Sequence, residues 1–220
     1  MGLLILGSIA VSFSLTCFGL ASALKYFLFH KPYKILSQFT SVDGNRGIAE
    51  ILDMPKDVYP VGRLDLDSEG LLLLTNDRKL NDALLNPRWN HGKTYWVQLD
   101  GEINDDAINQ LQNGLELNIK GTVHKTKPAK VRRLDTPLLA ERDPPVNIQK
   151  YPNTSWIELV LTEGKNRQVR RMTAKVGFPT LRLVRVGIEQ LSLGDLAAGS
   201  VTMISRNAIY KKLKIAERLK

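Results

Sequence analysis

The chain has 220 residues, enough to bury one good core or two small ones sharing a cleft. A hydrophobic fraction of 43% beside 24% charged residues excludes a disordered chain. Lys and Arg outnumber Asp and Glu by 31 to 22, and the net +9 would attract phosphate-rich polymers or anionic membrane surfaces. In chain order, residues 2–24 come first and carry no charge. As a helix they would extend about 34 Å at ~1.5 Å per residue, long enough to span a bilayer core. Three readings stand side by side. A membrane anchor is favoured by length and by Lys25, Lys31 and Lys34 just after it. A signal peptide is favoured by Ala21-Ser22-Ala23 but lacks a basic n-region. An upstream extension from start-site choice is favoured by Gly7, Ser8, Ser12, Ser14, Thr16 and Gly19, which make a mediocre membrane helix.

From Lys25 the pattern becomes globular. Lys25 to Phe29 reads as a short buried strand, and Ile48 to Met54 as one or two helical turns stopped before Pro55. Gly70 to Thr75 is an apolar run of strand length closed by the turn residues Asn76-Asp77. Arg78 to Leu85 reads as a helix ended by Asn86-Pro87, and Lys93 to Leu99 as a strand rich in aromatic and β-branched residues. The clearest helix follows: Asn104 caps it, Asp105 and Asp106 occupy its first turn, Ile103, Ala107, Ile108 and Leu111 share a face, and Gly114 stops it. Ala129–Leu134, Trp156–Thr162, Leu181–Val186 and Val201–Ile204 read as strands, with a helix over Asn166–Val176 ended by Gly177. Glu141 to Pro145 is the best candidate for an exposed loop. The fold expected is α+β, a mixed and mainly antiparallel sheet with flanking helices, forming one domain over residues 25–216.

A single cysteine, Cys17, excludes an intramolecular disulfide and a thiolate metal cluster. His30, His91 and His124 lack ligand spacing, so no metal is expected, and a reducing, cytoplasmic setting is the default. Two segments carry the chemistry. Val61 to Gly70 (VGRLDLDSEG) sets Asp65 beside Arg63 between glycines at the mouth of a strand; on spacing alone, a catalytic carboxylate and a polar turn are equally good readings. Glu163 to Met172 (EGKNRQVRRM) opens a helix whose buried face is Val169, Met172 and Val176. Lys165, Arg167, Arg171 and Lys175 lie off that stripe, as a solvated face or as phosphate contacts near the helix N-terminus. Arg170 sits beside the stripe, where burial would require a carboxylate partner.

These segments, with Ser68-Glu69-Gly70-LLLLTND, Lys93-Thr94-Tyr95, Gly177-Phe178-Pro179 with Leu181-Arg182-Leu183, and the opening His30–Thr40 stretch, resemble the RsuA/RluE group of ribosomal RNA pseudouridine synthases. Their order matches too, over about Lys25 to Ser205. The resemblance implies a pseudouridine synthase catalytic domain with a central cleft, and an isomerase that needs neither cofactor nor metal. It implies Asp65 as the catalytic carboxylate, Tyr95 as the ring stacking on the target uracil and accepting a proton, and Arg170 as the base paired with Asp65. Arg63 would hold the surroundings of the flipped nucleotide open, and Leu183 would lie under the base. Lys31, Lys165, Arg167 and Arg171 are expected to contact RNA. Ser68 stands where the family often has Thr and keeps the hydroxyl. No room precedes Lys25 for the small RNA-binding domain of many relatives, so recognition is expected from the catalytic domain itself. The expected partner is ribosomal RNA, 23S of the large subunit, bound by a monomer, with membrane contact only if residues 2–24 form an anchor. The other reading is a non-catalytic RNA-binding protein on the same fold.

Overall fold

The computed structural model describes residues 23–215. The readings of the apolar N-terminal segment therefore lie outside the described residues, Ala23 and Leu24 apart. Among the described residues no helix is long and apolar enough to cross a membrane.

Nine strands form one mixed sheet: β1 (Tyr26–Lys31), β2 (Tyr59–Val61), β3 (Glu69–Thr75), β4 (Lys93–Asp100), β7 (Lys130–Leu134), β8 (Thr154–Leu161), β9 (Thr180–Ile188), β10 (Leu191–Ser192) and β11 (Val201–Met203). The order is β11-β1-β3-β9-β4-β8-β7, with β2 on β3 and β10 on β9. β5 (Glu116–Ile119) and β6 (Thr122–Lys125) make a separate hairpin. The β3–β9 pair is parallel and the other strand pairs are antiparallel. The helices are α1 (Arg78–Leu85), α2 (Asp105–Asn113), α3 (Gln168–Lys175) and α4 (Arg206–Lys212). The α+β architecture expected from the element pattern is the one observed.

β3 explains its own apolar run. All seven residues are buried, because the strand is covered on both faces. Leu71 and Leu73 join Leu80 and Leu84 of α1 and Ile209 of α4 on one side; Leu72 and Leu74 join Phe27, Phe29, Ile48 and Val58 on the other. A third apolar cluster lies between α2, α3 and the β4–β8 pair. At Gly70, φ is +107° and a Cβ would fall on the backbone of Arg185, so only glycine lets β3 and β9 come together at this point. That crossing sets the floor of the cleft.

Capping chemistry fixes the helices. The Asp77 carboxylate accepts from Lys79 N and Leu80 N at the start of α1, and also from the hydroxyls of Tyr26 (2.7 Å) and Tyr210 (2.8 Å). Asn104 caps α2 by accepting from Ala107 N, as its sequence position predicts. The helical turns expected over Ile48–Met54 shrink to a 3-10 turn, Ile48–Glu50. The free N–H groups at its start, Ile48 and Ala49, bond to Gln38 O and Phe39 O of the adjacent loop.

Candidate active site

A cleft of about 660 Å³ opens where the β2–β3 loop, the N-terminal end of α3 and the β4–β9 floor meet. Its lining includes Arg63, Asp65, Tyr95, Lys165, Arg167 and Leu183, six of the residues singled out in the sequence. They come from segments more than 100 positions apart, and the sheet order brings them together. Lys31, Arg170 and Arg171 are not in the lining.

The loop carrying Asp65 is held from below. Ser37 Oγ donates to Leu64 O and accepts from Leu64 N, Lys34 N donates to Leu66 O, and Ser68 N donates to Asp65 O. Lys31 lies beneath and is fully buried, so it is not an RNA contact; this corrects the sequence expectation. Its ammonium donates to Ile35 O (2.6 Å) and Pro32 O (2.9 Å), with Leu66 O at 3.5 Å. Burial pulls the Lys31 pKa down to about 7, while Glu69, Asp67 and Asp65 oppose the shift. Its place two residues after Phe29, on the buried face of β1, was the available signal, hidden by the following Pro32.

A second correction concerns Arg170. Its guanidinium does not bond to Asp65. Nη2 donates to Asp67 O (2.6 Å), Nη1 to Thr180 O (3.2 Å), and Nε lies 3.3 Å from Asp67 Oδ2, close enough for an ion pair but poorly aligned for a hydrogen bond. Arg167 takes the same carboxylate bidentately, at 2.8 and 2.7 Å. Arg167 is the left-handed residue just before α3, with φ of +50°. Burial pushes Asp67 up, but the Arg167 hydrogen bonds and the charges of Arg170 and Arg167 outweigh it and leave the carboxyl below its ordinary range. Asp65 acts on both arginines through its charge alone. Its carboxylate, half-buried at the cleft, makes no ion pair among the described residues.

Arg171 turns away from the cleft, donating to Asn118 O of the β5–β6 hairpin and to Asn166 O. Lys165 and Arg63 are exposed at the cleft rim, where phosphate contact is open to them. Leu183 is buried in the floor. Two floor residues were given no role in the sequence reading. Arg185 sits two positions after Leu183 on the same strand face; it is buried, donates from Nε to Leu71 O, and is near enough to the Tyr95 side chain to interact with it electrostatically. Lys93 stands two positions before Tyr95 on β4 and also lines the cleft. The period of two was the available signal in both cases, hidden for Arg185 by the apolar run around it. No cluster of three or more His, Cys, Asp or Glu residues suited to a metal occurs among the described residues.

The fold and this constellation define an RNA-modifying isomerase. Residues 25–175 match the RNA pseudouridylate synthase family, and the chain belongs to it. Within the family it is similar to a ribosomal large subunit pseudouridine synthase E from Vibrio parahaemolyticus, 48% identical over 80% of this chain and 71% of the relative. It is similar also to a ribosomal large subunit pseudouridine synthase B from Bacillus subtilis, 32% identical over 87% of this chain and 72% of the relative. Among solved structures, a pseudouridylate synthase crystal structure superposes with a TM-score of 0.71 at 27% identity, covering 86% of this chain and 74% of that one.

Proposed function

We propose that this chain converts a uridine of large-subunit ribosomal RNA, the 23S molecule in bacteria, to pseudouridine, with Asp65 as the reactive carboxylate. The relatives named for the large subunit support the substrate class. One observation carries the assignment of Asp65: two aspartates stand two residues apart in one loop, and the arginines bind Asp67 while Asp65 faces the cleft beside Tyr95 and Leu183. A carboxylate committed to ion pairs is a poor nucleophile or base; one left open at a pocket is available for either role. Arg170 is then a positioning residue, fixing the loop through the Asp67 carbonyl.

The reaction breaks the N1–C1′ bond, turns the freed uracil and joins C5 to C1′, consuming no water and transferring no electrons to an acceptor. The uridine must leave its stack to reach the floor, where Tyr95 offers a ring face and Leu183 an apolar seat. Stacking on such a ring is worth ~1–3 kcal/mol per base. Exposed Arg63 and Lys165 supply phosphate contacts at the rim. The enzyme acts as a monomer in the cytoplasm on this reading.

The test is release of tritium from C5-labelled uridine in ribosomal RNA fragments, with the modified position mapped by sequencing. Release by the wild type and none by Asp65→Asn, at equal RNA affinity, is the expected result. RNA binding without release by the wild type would instead favour the non-catalytic reading.

A further inference from the structure

The β4–β9 floor carries positive charge that no carboxylate neutralises at close range. Lys93 is half-buried, its Nζ donates only to His91 O at 3.3 Å, and no salt bridge of the described residues reaches it. Glu189 is the nearest acid acting on it, but that carboxylate accepts from Gly92 N and pairs with Lys214 and His91. Arg185 adds a second cation to the same wall, with Nη2 buried and lacking a hydrogen-bond partner. Burial and the charge of Arg185 both lower the Lys93 pKa, against Glu189. An uncompensated cation pair in a dry wall is costly in the empty site and favourable once an anion occupies it.

Lys93 and Tyr95 are at i and i+2 on one strand face, so a base stacked on the ring lies beside the ammonium. Resting on the reading of this chain as a pseudouridine synthase, we propose that Lys93 is a catalytic residue that holds the negative charge of the departing uracil. When N1–C1′ breaks, both bonding electrons go to the base, and the charge spreads over N1 and the two carbonyl oxygens. Lys93 donates a hydrogen bond to one of those oxygens and keeps its protons throughout. Bonding of C5 to C1′ discharges the anion, after which C5 loses a proton and N1 gains one. The ammonium therefore interacts more strongly with the transition state than with the bound uridine.

The experiment is single-turnover and steady-state isomerisation by Lys93→Gln and Lys93→Arg on an RNA fragment that the wild type modifies, with melting curves and RNA binding alongside. Lys93→Gln should lose ~10²-fold in kcat, as removal of one preorganised donor does elsewhere. Its KM should stay within about threefold of wild type. Lys93→Arg, keeping the charge, should recover activity and should hold its turnover at alkaline pH where the wild-type lysine loses its proton. A rise in KM at constant kcat means a backbone phosphate contact and overturns the proposal, as does unchanged kcat in folded Lys93→Gln. Should Lys93→Gln not fold, the alkaline limb decides: identical limbs for wild type and Lys93→Arg overturn it. If the wild type itself modifies no ribosomal RNA, the proposed function fails, and that outcome is distinct from an active wild type with an equally active Lys93→Gln.

Discussion

The two walls of the cleft handle charge in opposite ways. On the loop wall the carboxylate is paired: Asp67 receives Arg167 and Arg170. On the floor, Lys93 and Arg185 have no carboxylate bound to them among the described residues, and Asp65, lining the same cavity, has no ion pair there either. Matched charges fix geometry, and unmatched ones facing a pocket keep their interaction energy for a ligand. The pairing found at Asp67 thus frees Asp65, which a direct Arg170–Asp65 pair would have tied up.

The largest effect expected from breaking this contrast is at Asp65. Asp65→Asn should lower turnover by ~10³-fold or more while leaving fold and RNA affinity intact, read by tritium release, circular dichroism and filter binding. Next comes the matched wall. Arg170→Ala should destabilise by ~1–3 kcal/mol, since the Asp67 and Thr180 carbonyls lose their donor while Asp67 keeps Arg167. A double-mutant cycle in urea should give Arg170 and Asp67 a coupling of ~1–3 kcal/mol and Arg170 with Asp65 much less. Equal coupling would restore the pairing expected from sequence.

Lys31 sharpens the comparison through pH. Its folded pKa is depressed to about 7 from an ordinary 10.5, so between those values the unfolded chain binds more protons. Stability contributed by this group is therefore lowest below the folded pKa and rises with pH through that window. The melting temperature of wild type relative to Lys31→Met should climb from neutral to alkaline pH; a flat difference contradicts the burial of the charge. The smallest effect belongs to the rim. Lys165→Gln should weaken RNA binding several-fold and reduce the slope of log affinity against log salt by about 1, with kcat hardly altered.

How far the sequence could be read depended on whether the relevant physics was local. The α2 boundaries follow from Asn104 and Gly114, and β3 from an unbroken apolar run, because capping and strand burial act within a few residues. The β5–β6 hairpin, β2 and α4 were missed, being short and lacking a strong apolar period. At the site, Asp65, Tyr95, Arg63, Lys165, Arg167 and Leu183, named from the sequence, all line the cleft. Lys31 was misplaced because a lysine next to a proline reads as surface, and nothing local reveals that its ammonium meets the carbonyls of Pro32, Ile35 and Leu66.

By itself the sequence determined the α+β class and, through the ordered GRLD, KTY and QVR motifs, the resemblance to the family that pointed to Asp65, Tyr95 and Leu183. Only the tertiary structure decided which carboxylate each arginine takes, that Lys31 is sealed inside, and that Lys93 and Arg185 form a cationic floor. Motif order and periodicity are properties of neighbours along the chain. Charge pairing depends on ångström-scale distances between segments far apart in the chain, such as Asp67 and Arg167 at 2.7 Å.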